Sequence, residues 1–137
     1  MIEHKIRVGL STVYEREGRA TAAEITADSV GVLDYLVSTP TLLAMIMDAS
    51  SKILNPLLPE GYITVGKKIE LLHENPTLTD EIISVKLTVT EVNENRIYMD
   101  FTANDAFGQV CKGKYEKVII EQQELLNNAY KRAEKTL

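Results

Sequence analysis

The sequence predicts an α+β fold in which a curled antiparallel sheet wraps one long buried helix. Three observations predict it. Residues 38–54 form a segment with a marked helix start that is apolar over more than one face, as a buried helix is. From residue 62 to residue 120 the pattern changes to alternating apolar and polar positions, in runs divided by turn residues. No other segment can serve as a core helix of that length, so the sheet must pack on this one.

In chain order, Ile6, Val8 and Leu10 alternate with polar neighbours and predict a short strand. Glu15-Arg16-Glu17-Gly18-Arg19 reads as an exposed turn, and residues 20–28 fit either a strand or an irregular helix. Residues 30–37 are mostly apolar, lead directly into the helix start, and are expected to be buried. Ser38 or Thr39 can then accept a hydrogen bond from a first-turn N–H, and Pro40 suits the first helical position, where no N–H is needed. Leu42, Leu43, Ile46, Met47, Ala49, Ser50, Ile53 and Leu54 supply the apolar faces, and Asn55-Pro56 ends the helix. A loop with two prolines and a glycine follows, at 55–61.

Residues 62–74 read as a first long strand, broken by Asn75-Pro76-Thr77. Ile83, Val85, Leu87 and Val89 alternate with polar residues as a second strand. Ile97, Met99, Phe101 and Ala103 mark a third, and residues 110–120 a fourth. The tail, 121–137, has a helix-forming composition with Leu125, Leu126, Ala129, Tyr130 and Ala133 at helical spacing. Residues 1–137 are read as a single domain. The open edges of so small a sheet are expected to be covered by a second copy, giving a homodimer.

Composition narrows the function. At 45% apolar and 26% charged residues, the chain has the profile of a soluble globular protein. Its net charge of −5, without a basic block, argues against nucleic acid as a partner. Cys111 is the only cysteine, so neither an intramolecular disulfide nor a Cys-rich metal site is possible, and no metal is expected. Charged residues fill the first twenty positions, leaving no apolar signal core, and no run reaches membrane-spanning length. The expectation is a cytoplasmic protein without a membrane partner.

Ser38-Thr39-Pro40 opening a buried helix, Thr64-Val65-Gly66 on the following strand and His73 further along it resemble the hot-dog-fold thioesterases. The closest resemblance is to their fluoroacetyl-CoA thioesterase-like group, and it runs from about Gly9 to Ile120, including the Asp105-Ala106-Phe107-Gly108 turn. It implies a dimer whose sheets join edge to edge, with an acyl-CoA thioester as substrate near the interface. No cofactor is implied beyond the coenzyme A of the substrate itself. In the relatives a threonine at the helix start, a carboxylate further into the helix and the strand histidine act on the thioester. Thr39 and His73 match the first and last, but the carboxylate position is Met47 in this chain.

Each candidate has an ordinary structural role as well. Thr39 can cap the helix, worth about 1 kcal/mol, or help the positive helix end stabilise charge growing on a thioester oxygen. His73 can be a half-buried strand residue or a general base toward water near neutral pH. Gly66 can mark a strand bend or let a substrate approach the backbone. Ser38 beside the helix start is read as substrate-binding. Met47 is either core filling or an adaptable wall of an acyl pocket. Asp48 is the available substitute for the missing carboxylate, or the partner of Lys52 four residues on. Glu74 should face away from His73. Cys111 reads as a small core residue, and Lys67, Lys68, Lys112 and Lys114 as solvated or phosphate-binding. Three readings stay open: a thioesterase with a non-standard site, an acyl-CoA or small-ligand binding module that has lost catalysis, and a purely structural dimer.

Overall fold

The computed structural model describes residues 3–17, 33 and 35–135. Helix α1 (Thr39–Leu54) starts behind Ser38, whose Oγ accepts from the Thr41 N–H at 3.3 Å. Ser38 is therefore the cap, which leaves the Thr39 hydroxyl for another partner. The α-helix stops at Leu54 and a 3-10 turn, Asn55–Leu57, carries the chain to β2 (Tyr62–His73). Asn55 Oδ1 accepts from both the N–H and the hydroxyl of Thr64, at 3.1 and 2.8 Å, and so ties the end of α1 to that strand.

Leu42, Met45, Ile46, Ala49, Ser50 and Leu54 form the buried stripe of α1, each three or four residues from another member. One expectation is narrowed here: of the two readings of Met47, core filling does not hold, since the residue is 39% exposed. The sheet of a single chain covers one side of the rod, and Met47 lies well round the helix from the stripe's centre, with Ala44 and Lys52 also exposed.

Strand β3 (Ile82–Asn93), β4 (Arg96–Asp105) and β5 (Gly108–Glu121) follow β2, and α2 (Gln122–Lys135) closes the chain. With β1 (Ser11–Glu17) at one edge, the sheet runs β1-β3-β4-β5-β2, and each of these pairings is antiparallel. Ile83, Val85, Leu87 and Val89 of β3 and Ile97, Met99, Phe101 and Ala103 of β4 are all buried and form the core with α1. Burying each of the larger ones contributes about 1.5–3 kcal/mol. The alternation read from the sequence predicted these strands.

The first strand differs from its expectation. β1 is Ser11–Glu17, on the outer side of β3, and it includes the Glu15-Arg16-Glu17 run read as a turn. Val8 is 63% exposed, and Ile6 is buried outside any strand. An edge strand tolerates charge because one of its sides faces water, so its alternation is weak. The segment 20–28 lies outside the described residues. Of 30–37, Val37 is buried as expected and Tyr35 is exposed.

Candidate active site

The helix start and the end of β2 are bound together by the strand-like segment before α1. Val37 N–H donates to the Thr77 carbonyl at 2.9 Å, Thr79 N–H donates to the Tyr35 carbonyl at 3.1 Å, and Leu36 bridges Leu78. The segment after β2 is held in turn by the β4–β5 hairpin. Glu74 and Asn75 N–H groups share the Val110 carbonyl, and buried Thr77 donates its hydroxyl to Asp105 Oδ2 at 2.7 Å. That bond, together with the N–H groups of Phe107 and Gly108, holds the Asp105 carboxyl below its ordinary value against the opposing effect of burial.

Alternation along β2 then aims His73. Ile69, Leu71 and His73 point inward, whereas Glu74 turns out and accepts from Gln109 Nε2 at 2.6 Å. His73 Nδ1 meets Thr39 Oγ1 at 2.8 Å. Its other nitrogen, Nε2, is buried without a hydrogen-bond partner among the described residues. Buried polar atoms are nearly always paired, so an orphan marks a place where another group is received. Either tautomer leaves Nε2 as the atom with spare capacity, as acceptor or as donor.

The positive end of α1 lies at this pair, but its first N–H groups are largely taken. Pro40 has none, Thr41 N–H goes to Ser38 Oγ, and Leu42 N–H goes to the Ser38 carbonyl at 3.1 Å. What the helix offers is chiefly its partial charge.

The remaining candidates sit elsewhere. Met47 is eight residues after Thr39, about 12 Å along α1 at 1.5 Å per residue. Asp48 Oδ2 accepts from the Tyr14 hydroxyl at 2.7 Å and pairs with Lys52 at 3.2 Å and Arg16 at 3.4 Å. The Tyr14 bond is the main cause of its lowered pKa. The structure therefore does not bring the Asp48 carboxylate to His73 within one chain. Gly66 lies at a register shift in β2, as a bend would require. A Cβ there would come 2.8 Å from Tyr115 Oη, so glycine is also needed for the tyrosine ring to lie against the strand. Cys111 is fully buried, and burial, followed by the charge of Glu74, pushes its thiol up to about 11, which suits a core residue rather than a nucleophile. Lys67, Lys68, Lys112 and Lys114 are exposed, with Lys68 on Glu70 and Lys114 near Asp100.

Sequence reading missed Lys117. It is 2% exposed, and Nζ donates to Ser50 Oγ at 3.0 Å and Ser51 Oγ at 3.2 Å. The signal was available: Tyr115, Lys117 and Ile119 are alternate residues of one strand, so Lys117 shares the inward row.

Thr39 and His73 thus form one cluster, and Met47, Gly66, Ser50, Tyr115 and Lys117 belong to another. Seven residues of extended β2 separate Gly66 from His73, about 23 Å. Among the described residues, no helix is long and apolar enough to cross a membrane.

The family model described as FlK, fluoroacetyl-CoA-specific thioesterase, matches residues 20–123. Among solved structures, the chain is similar to a hot-dog-like protein from Thermanaerovibrio acidaminovorans, with 24% identity, 91% of each chain covered and a TM-score of 0.79. It is similar to the fluoroacetyl-CoA thioesterase FlK, with 17% identity, 93% of this chain and 97% of that one covered, and a TM-score of 0.81. A Thermus thermophilus thioesterase superfamily member shares 21% identity over 96% of both chains, with a TM-score of 0.78. At these identities the likeness is one of fold, and it is the hot-dog fold. No curated protein sequence matches.

Proposed function

The chain belongs to the fluoroacetyl-CoA-specific thioesterase family, a family of thioester hydrolases, and from that premise we propose that it hydrolyses a small acyl-CoA with Thr39 and His73 as its reacting pair. The observation that carries this reading is the 2.8 Å contact between Thr39 Oγ1 and His73 Nδ1 at the positive end of a buried helix. A hydroxyl and an imidazole at that distance are a nucleophile or water-holding group beside its base. Structures of FlK hold acetyl-CoA in one case and fluoroacetate with CoA in another, which supports a CoA ligand on this fold.

Two routes use the pair. In one, Nε2 takes a proton from the attacking water while Thr39 fixes the ring through Nδ1. That Nε2 has no hydrogen-bond partner among the described residues favours this route. The two ring nitrogens point away from each other, so the carbonyl under attack from Nε2 would have to be polarised by donors other than the Thr39 hydroxyl. In the second, Nδ1 takes the proton of Thr39, Oγ1 attacks the thioester carbon, the CoA thiolate leaves, and water later releases the acyl group from threonine. The short Thr39 contact favours that one.

The site is completed by a second copy. A thioester spans a few ångströms around its reacting carbon, far less than the distance between the Thr39–His73 cluster and the Met47–Gly66 cluster of one chain. Among the described residues β2 is an edge strand, twelve residues long and paired only with β5, and a long edge of that kind is the place for such an assembly. In the dimer the Met47–Gly66 end of one chain would face the Thr39–His73 end of the other. Met47 is the feature that favours the second reading, a binding module without turnover, since a thioether can neither attack nor take a proton.

The test is release of free CoA from a panel that includes acetyl-, fluoroacetyl- and longer acyl-CoA. Turnover that is lost in His73→Ala supports hydrolysis by this pair. Turnover only after Met47→Glu selects the binding module. A mass increase of one acyl group on Thr39 under quench selects the second route.

A further inference from the structure

Lys117 is the only charged side chain buried among the described residues. Its ammonium has two serine hydroxyls as hydrogen-bond acceptors and lies 5.5 Å from the centre of the Tyr115 ring. None of the ion pairs among the described residues includes it. The neighbouring Glu116 pairs instead with Arg96, on the other side of the strand. Burial pushes Lys117 down to about 8, so it is still mostly charged at neutral pH.

A buried cation without an anion carries a desolvation cost that hydroxyls offset only in part. A ligand anion in direct contact would offset that cost further than a hydroxyl can, by charge-assisted hydrogen bonding. The surroundings show where it would enter. Met47 precedes Ser50 and Ser51 by three and four residues, so all three share one helix face, and Met47 is the exposed member. Tyr115, whose ring lies near the ammonium, also packs on Gly66. The ammonium thus lies against the helix face that carries Met47 and near a ring that packs on the single glycine of β2, which is where the end of an acyl group would reach it.

We propose that Lys117 determines specificity by selecting thioesters whose acyl group ends in a second carboxylate, which ion-pairs with the ammonium held by Ser50 and Ser51. This rests on the thioester reading above. The acyl carboxylate is a better fit than a CoA phosphate, because the acyl group is the part a hydrolase must bury and a phosphate dianion is the more costly to desolvate.

The experiment compares glutaryl-CoA with valeryl-CoA, which has the same chain length without the carboxylate, and with free CoA. Turnover is read as CoA release, and binding by calorimetry on His73→Ala. The expected result is a glutaryl preference of about 10- to 100-fold, the range of a charge-assisted contact. Lys117→Met should remove that preference and Lys117→Arg should keep it. Met47→Glu, which sets a carboxylate on the same helix face, should also remove it, and it serves if Lys117→Met fails to fold. Equal treatment of the two thioesters by the wild type overturns the proposal, as does a Lys117→Met variant that weakens free CoA by the same factor. A binding preference without turnover upholds Lys117 and defeats the hydrolase reading. Turnover without preference does the reverse, and binding of neither thioester defeats both.

Discussion

Thr39 Oγ1 and His73 Nδ1 lie 2.8 Å apart although 34 residues separate them in the chain. The pairing of 35–37 with 77–79 makes that possible, because it sets the first turn of α1 beside the last residue of β2. If the pair does the chemistry, Thr39→Ala and His73→Ala should each lower kcat/KM by about 10²- to 10⁴-fold. Thr39→Ser, which keeps the hydroxyl, should lose far less. Thermal unfolding of all three should stay near wild type, separating lost chemistry from lost fold.

Thr77 acts on that pair from a distance. Its buried hydroxyl bond to Asp105 fastens the segment that places the helix start. Thr77→Val should cost about 1–3 kcal/mol in denaturant unfolding, since it leaves one carboxylate oxygen without its donor. The Asp105 pKa is lowered by the same bond. Its contribution to stability is therefore full above the unfolded carboxyl value and lost as pH falls through the folded one. Acid unfolding curves of Thr77→Val should show a smaller loss over that range.

Gly66 and Tyr115 form a steric pair. A methyl group at Gly66 would come within 2.8 Å of Tyr115 Oη and 3.2 Å of its Cε1. Gly66→Ala should destabilise by about 1–3 kcal/mol, the usual cost of overpacking. Adding Tyr115→Phe removes the nearest atom and should recover part of the loss, as a double-mutant cycle would measure.

Lys117 should leave a mark on stability in alkali. Its pKa falls from 10.5 to about 8 on folding, through burial. Below about 8 both states hold the proton and the burial cost is fully present. Between the two values the unfolded chain binds more protons, so stability rises with pH, by up to about 1.4 kcal/mol per unit. Wild type should therefore gain on Lys117→Met between pH 8 and 10, followed by denaturant titration.

A site shared by two chains, as proposed, would make activity depend on assembly. Light scattering should give twice the 15.3 kDa chain mass, and CoA release per chain should fall when dilution dissociates the protein. Full activity at the mass of one chain would refute the shared site.

The sequence by itself determined the elements whose physics is local. The Ser38-Thr39-Pro40 start of α1 and the period-two runs of β3 and β4 are set by neighbouring residues, and they were legible along with the opposite facing of His73 and Glu74. β1 was misplaced because an edge strand has water on one side and a weak pattern, and the core-filling reading of Met47 failed because helix periodicity does not say how far one sheet reaches round the rod. Tertiary structure alone decided the partners. It gave the cap to Ser38 and freed Thr39 for His73, tied Asp48 to Tyr14, and buried Lys117 against Ser50 and Ser51. Those contacts join residues tens of positions apart, and which distant groups meet is settled by packing in three dimensions rather than by the order of residues along the chain.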